Sequence, residues 1–203
     1  MTIQHDIPIN ISIPHDEINI FIPILQKGFC IKTYSGSSIM EFLLQCGLSE
    51  EYIVNNIKTV FLDNKPVDDL INSFIEDDST LSLSGAMPGL VGAVMRIRSP
   101  FQSFRNTISY ATTPNKGTTT IRKEAIITLK LFNTVLSDTA ILFLRNGIFI
   151  DGKTLLSLIK NNKNIYKKWF IQYNDNLLHN SEAITLMEQH HNDLIFVKLV
   201  VVN

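Results

Sequence analysis

The chain has 203 residues, with 45% hydrophobic and 18% charged side chains, which excludes a disordered polypeptide and leaves room for one large domain or two small ones. Its formal net charge of −1 excludes a global field for nucleic acid, and no apolar run reaches the ~18 residues of a membrane span. The charge is unevenly spread: residues 1–78 carry −8, residues 79–123 carry +6 with no Asp or Glu, and residues 124–203 carry +1.

Ile18 to Leu25 is an apolar, strand-like run broken by Pro23, and Gln26-Lys27-Gly28 a turn before a second strand, Phe29–Tyr34. Together they predict a hairpin. Ser35-Gly36-Ser37 breaks the pattern and offers an N-cap to an apolar helix over Ser37–Cys46, which Gly47 ends. A second helical turn starts at Glu50-Glu51. Lys58–Leu62 reads as a strand closed by the turn residues Asp63-Asn64-Lys65-Pro66, and Val67 to Ile75 as a short helical or irregular crossing. Asp77-Asp78-Ser79 turns the chain into the strand Thr80–Ser84.

Strand, strand, helix, strand, crossing, strand is the order of a β-grasp domain. Over about residues 17–90 the chain resembles the ubiquitin-like superfamily, in particular the sulfur carriers of thiamin and molybdopterin synthesis. The matching residues are the helix Ser37–Cys46, the strand and turn Phe61–Val67, and the stretch Ile75–Leu83. Those carriers end at a Gly-Gly carboxylate that is adenylated and thiolated. Here the final strand runs on into Pro88, Gly89, Gly92 and about 110 further residues, so carrier chemistry would require processing at Gly89 or Gly92.

Gly85 to Met95 is small, apolar and conformationally loose, and leads to Arg96, Arg98 and Arg105. Residues 99–120 are rich in Ser, Thr, Asn and Pro, with Phe101, Phe104 and Tyr110 that need somewhere to pack. Residues 124–160 look helical, interrupted by a short strand at Ile148–Ile150. The end reads as β structure: Trp169–Tyr173, a turn at Asp175-Asn176, Ala183–Leu186, and the long strand Leu194–Val202. Gly28–Ile31 and Ser35-Gly36 find an echo in Gly147–Ile150 and Asp151-Gly152, displaced by 111 to 119 residues, which suggests a duplicated unit.

The expected fold class is therefore α+β: a β-grasp-like domain at 1–90, a basic Gly/Ser/Thr-rich connecting arm at 91–123, and a small α+β domain at 124–203, with a divergent second β-grasp unit as one reading of it. No nucleophile–base set or paired acid motif can be argued from spacing, so the expectation is a non-catalytic cytoplasmic interaction or adaptor module, without cofactor or metal. Its expected contact segment is 85–105, with Met87, Pro88, Gly89, Gly92, Arg96, Arg98 and Arg105 meeting an acidic or anionic partner, another protein or a second copy. Lys160, Lys163, Lys167, Lys168 and Trp169 form a second candidate, a cationic patch with an aromatic ring for RNA, to which the lesser weight is given. His190 and His191 beside Asp193 read as a solvated turn, and Cys30 and Cys46 as thiols outside any disulfide.

Overall fold

A computed structural model describes residues 5–111, 123–162 and 168–202, with side chains from Ile9 onward. The fold is α+β. The chain forms two compact units, one of residues 25–140 and one assembled from both ends, 1–24 and 141–203. The sequence expectation placed its boundaries at 90 and 123 instead. It is the strand after the arm that moves them, because residues 124–132 pair inside the first unit.

In the central unit the strands are β2 (Phe29–Tyr34), β4 (Thr59–Leu62), β5 (Lys65–Pro66), β7 (Thr80–Ser84) and β8 (Glu124–Phe132), in the sheet order β2-β8-β7-β4-β5. β8 runs parallel to β7 and antiparallel to β2, while β4 is antiparallel to both β7 and β5. A short pair, β3 (Ser37–Ser38) with β6 (Phe74–Ile75), stands apart from this sheet. Sequence reading made 124–132 helical because Ile126, Ile127, Leu129, Leu131 and Phe132 looked like a thick stripe. The side chains instead alternate, with Ala125, Ile127, Leu129 and Leu131 buried. Period two and β-branched residues favour the strand.

The register puts Leu81 opposite Leu129 and Leu83 opposite Leu131, with Val60 and Leu62 on the next strand, so one sheet face is continuous aliphatic surface. Each such buried side chain contributes roughly 1.5–3 kcal/mol. α2 (Ile39–Gln45) adds Ile39, Phe42 and Leu43 to this core. It starts two residues later than the expected Ser37, and the N-cap is Ser38, whose hydroxyl accepts from Glu41 N–H at 3.1 Å. α3 (Glu50–Asn56) is capped in the same way by Ser49.

The other unit contains β1 (His5–Pro14), β9 (Ile148–Asp151), β10 (Phe170–Tyr173), β11 (Asn176–Leu178) and β12 (Leu194–Val202), in the order β11-β10-β1-β12-β9. β1 had not been assigned from sequence, although Ile9, Ile11 and Ile13 alternate with Asn10 and Ser12 and are buried beside Val197, Leu199 and Val201. Beyond α5 (Asn133–Asn146), α6 (Gly152–Asn161) and α7 (Asn180–Gln189) pack on each other and bury Leu155, Ile159, Ala183 and Met187. Ala183–Leu186 is thus helix rather than strand. Ala183 and Met187 are one helical turn apart, and the Glu182 carboxylate accepts from His179 N–H at the helix start.

The predicted hairpin at 18–34 is also corrected. Residues His15–Phe21 form a 3-10 helix and Ile22–Lys27 the helix α1. Buried Ile18, Phe21, Ile24 and Leu25 recur every three or four residues, and Pro23 is tolerated in a first helical turn.

Both units share one strand pattern: two parallel strands (β8/β7, β12/β1), an antiparallel strand on one side (β2, β9), and an antiparallel hairpin on the other (β4–β5, β10–β11). In each unit that antiparallel strand, β2 or β9, is followed by a helix with a side-chain N-cap, Ser38 for α2 and Asp151 for α6. Each hairpin turns through two left-handed residues, Asp63 and Asn64 (φ 49° and 64°) or Asn174 and Asp175 (φ 50° and 62°), as a two-residue hairpin turn of matching twist requires.

Candidate interaction surface

After β7 the chain does not leave the central unit. Residues 85–111 form α4 (Gly89–Met95), a bend at 96–101 and a 3-10 turn, Gln102–Arg105. The glycines here serve close approach rather than looseness. A Cβ on Gly85 would stand 2.0 Å from Thr134 Oγ1, and one on Gly92 would stand 2.1 Å from the Met87 carbonyl oxygen. Gly92 is buried within α4, Gly89 is its first residue at φ 78°, and Pro88 precedes it in extended conformation. The two positions at which a carrier would be processed are therefore helical.

Backbone bonds tie the segment down in its middle and at its end. Ile97 N–H donates to Lys58 O at 2.8 Å, and Tyr110 N–H to Pro66 O at 2.8 Å. Ser99, itself buried, donates to Ala93 O at 2.6 Å and accepts from Phe101 N–H at 3.0 Å.

The principal fastener is Arg105, whose side chain is 1% exposed. All five guanidinium N–H donors are used. Nε donates to Val94 O (2.8 Å), Nη1 to Asp68 Oδ2 (2.9 Å) and Ser109 Oγ (2.7 Å), and Nη2 to Asp68 Oδ1 (2.5 Å) and Arg96 O (3.2 Å). The planar fork meets the carboxylate with two parallel bonds, the geometry for which arginine is suited. Arg105 was expected to meet a partner. Its charge is instead consumed internally, by an aspartate 37 residues away that local sequence spacing could not reveal.

Arg96 and Arg98 are exposed, as expected of contact residues, and Met87 is half-buried. Phe101 and Phe104 were expected to find a packing surface, and Leu90, Val91 and Ile108 were not singled out; the structure leaves all five side chains in water. Leu90 is 74% and Phe104 77% exposed, and Val91, Phe101 and Ile108 are exposed as well. Phe101 and Phe104 stack on each other with ring centroids 6.3 Å apart. The signal was present in the sequence as bulky apolar residues without an acid among them, but a loop pattern does not say which of them face water.

The second candidate patch comes apart. Lys160 pairs with Glu188 at 2.8 Å, Lys168 is exposed, and Lys163 and Lys167 lie outside the described residues. Trp169 is 4% exposed, stacks on Phe21 with centroids 5.8 Å apart, and donates its indole N–H to the Glu17 carboxylate. A ring so enclosed is not available to stack on a base, so that role is withdrawn.

Elsewhere, His190 Nδ1 bonds Asp193 Oδ2 at 2.9 Å across the end of α7. Among the described residues no group of three or more His, Cys, Asp or Glu is placed to hold a metal, and no helix is long and apolar enough to cross a membrane. Asn72, through its amide and backbone N–H, holds the Asp69 carboxyl below its usual range, helped by Ile71 N–H and the charge of Arg98 against the opposing effect of burial. No protein-family model matches this chain, and neither curated proteins nor solved structures provide a match.

Proposed function

We propose that the protein is a non-catalytic interaction module in which the central unit is a rearranged β-grasp domain and residues 85–108 are its contact surface for an acidic protein partner. The strand senses support the β-grasp reading, since that fold also has two parallel central strands flanked by antiparallel ones. Here the strand that would open such a domain comes last, as β8. The same pattern in the second unit supports a duplication.

The observation that carries the functional reading is the exposure of Leu90, Val91 and Phe104 on a segment held rigid by Arg105. Large apolar side chains kept in water by a fixed backbone mark a binding surface more often than a structural need. Phe and Arg are the residues enriched in interface centres, and Lys is depleted there. Residues 85–111 contain both of the former and no lysine. Absence of acids sets the charge of the partner, because like charges across an interface cost several kcal/mol.

The test is affinity capture from native cells with the wild type and with an Arg96→Glu/Arg98→Glu variant, followed by mass spectrometry. An acidic protein held by the wild type and lost by the variant, at unchanged melting temperature, is the expected result. Identical captured sets would refute the reading.

A further inference from the structure

A cleft of about 260 Å³ lies in the central unit between α3, residues 68–71 and the Ile97–Arg98 bend. Resting on the interaction reading above, we propose that this cleft is the anchoring pocket for an acidic linear peptide, which inserts one large apolar side chain while its carboxylates pair with Arg98 and Lys58.

The walls are mostly aliphatic. Ile53 and Ile57 are buried, whereas Val54 and Ile71 stand exposed. The volume is below that of ordinary cofactor and drug-sized pockets, about 300–1,000 Å³, and suits a side-chain anchor.

The charges around the cleft differ in availability. Asp68 is engaged by Arg105 through both oxygens and also accepts from Arg98 N–H at 3.1 Å. Asp69 accepts from Ile71 N–H, Asn72 N–H and the Asn72 amide. Lys58 Nζ makes one bond, to Val54 O at 3.2 Å, and keeps donor capacity. Arg98 lines the cleft with an exposed side chain. Arg98 also lies near enough to Asp69 for its charge to help lower that carboxyl. With Arg105 spent on Asp68 and Lys58 held only by a neutral carbonyl, three cations stand against two acids, and the surplus charge around the cleft is positive.

Backbone geometry supports the same conclusion. Arg98 sits at φ 54°, a left-handed conformation that costs a non-glycine residue about 1–2 kcal/mol. It is held there by its own N–H on Asp68 and by Ile97 N–H on Lys58 O. Such strain persists only where surroundings enforce it, and it clusters at binding sites. Fixing this bend in advance lowers the ordering cost of association.

The proposal is tested by fluorescence anisotropy with labelled synthetic peptides of alternating Glu and Ser around one central Phe, Leu or Trp. Companion peptides replace that residue by Ala or every Glu by Lys. Wild type is compared with Ile71→Asp, Arg98→Glu and Arg96→Glu/Arg98→Glu, each checked for unchanged melting. The expected result is that an anchored acidic peptide binds, and that Ile71→Asp, Arg98→Glu and loss of the anchor each weaken it about tenfold or more. Binding that responds to Arg96→Glu/Arg98→Glu but not to Ile71→Asp or to the anchor overturns the cleft and leaves the contact surface standing. Failure of every acidic peptide to bind, or binding indifferent to all the variants, overturns both.

Discussion

Replacing Arg105 by Ala removes five hydrogen bonds from one buried site, two of them to the Asp68 carboxylate. A hydrogen bond to a charged group is worth about 1.5–3 kcal/mol net and a neutral one about 0.5–1.5. Asp68 keeps 25% of its side-chain surface, so water recovers part of the loss. Taken together the cost is about 3–4 kcal/mol, within the 3–5 kcal/mol typical of breaking a buried ion pair. For a chain of this size that corresponds to a fall of roughly 6–16 °C in melting temperature. Urea unfolding followed by far-ultraviolet circular dichroism, with calorimetry alongside, measures it. Two controls isolate the pair. Asp68→Asn alone leaves a buried guanidinium facing a neutral amide, and the double variant Asp68→Asn/Arg105→Ala should be less destabilised than the two single changes combined. A change below about 1 kcal/mol for Arg105→Ala, or a coupling energy below about 0.5 kcal/mol, would refute the role given to this residue.

Gly92→Ala places a methyl group against the Met87 carbonyl and should cost about 1–3 kcal/mol as α4 shifts, read from the urea midpoint. Alkaline pH should weaken the fold through two groups. Burial pushes the Cys46 thiol from 9.0 up to about 12, and burial, with the bond to Asp138 and its charge, raises the Tyr52 hydroxyl. Both are held protonated in the folded state, so their contribution is intact below pH 9, starts to be lost once Cys46 titrates in the unfolded chain, and falls faster above pH 10, where unfolded tyrosine also ionises. Cys46 adds at most about 1.4 kcal/mol per pH unit and the more exposed Tyr52, screened by water, less, and Cys46→Ala and Tyr52→Phe should each flatten the stability profile measured between pH 8 and 11.

The α+β class and several elements were legible in the sequence because their signals are local. Ser35-Gly36-Ser37 ahead of an apolar run marks α2 to within two residues, Asp63-Asn64 marks a turn, and nine residues from Leu194 with no helix breaker mark a long strand. Three assignments failed where two periods compete over a short span. Ile18–Leu25 and Ala183–Leu186 were too brief for a three- or four-residue recurrence to stand out, and β8 carried large residues on both faces. The contact surface was legible in its charge but not in its internal division of labour. Nothing near Arg105 in sequence distinguishes it from Arg96 and Arg98. What separates them is Asp68, brought across by the fold, and the exposure of Leu90 and Phe104 is equally invisible before the chain has folded.

β1 pairs in parallel with β12, Ile9 beside Val197 and Ile13 beside Val201. During synthesis β1 emerges first and its partner last, roughly 180 residues later, which at 5–20 residues per second is a wait of about 10–40 s. The central unit, whose strands all lie between residues 29 and 132, is meanwhile complete. A ribosome that stops before residue 194 therefore releases a chain with one finished unit and another still missing β12 from between β1 and β9. The side of β1 that β12 would cover, with its backbone N–H and C=O groups unpaired, is then a template for misassociation.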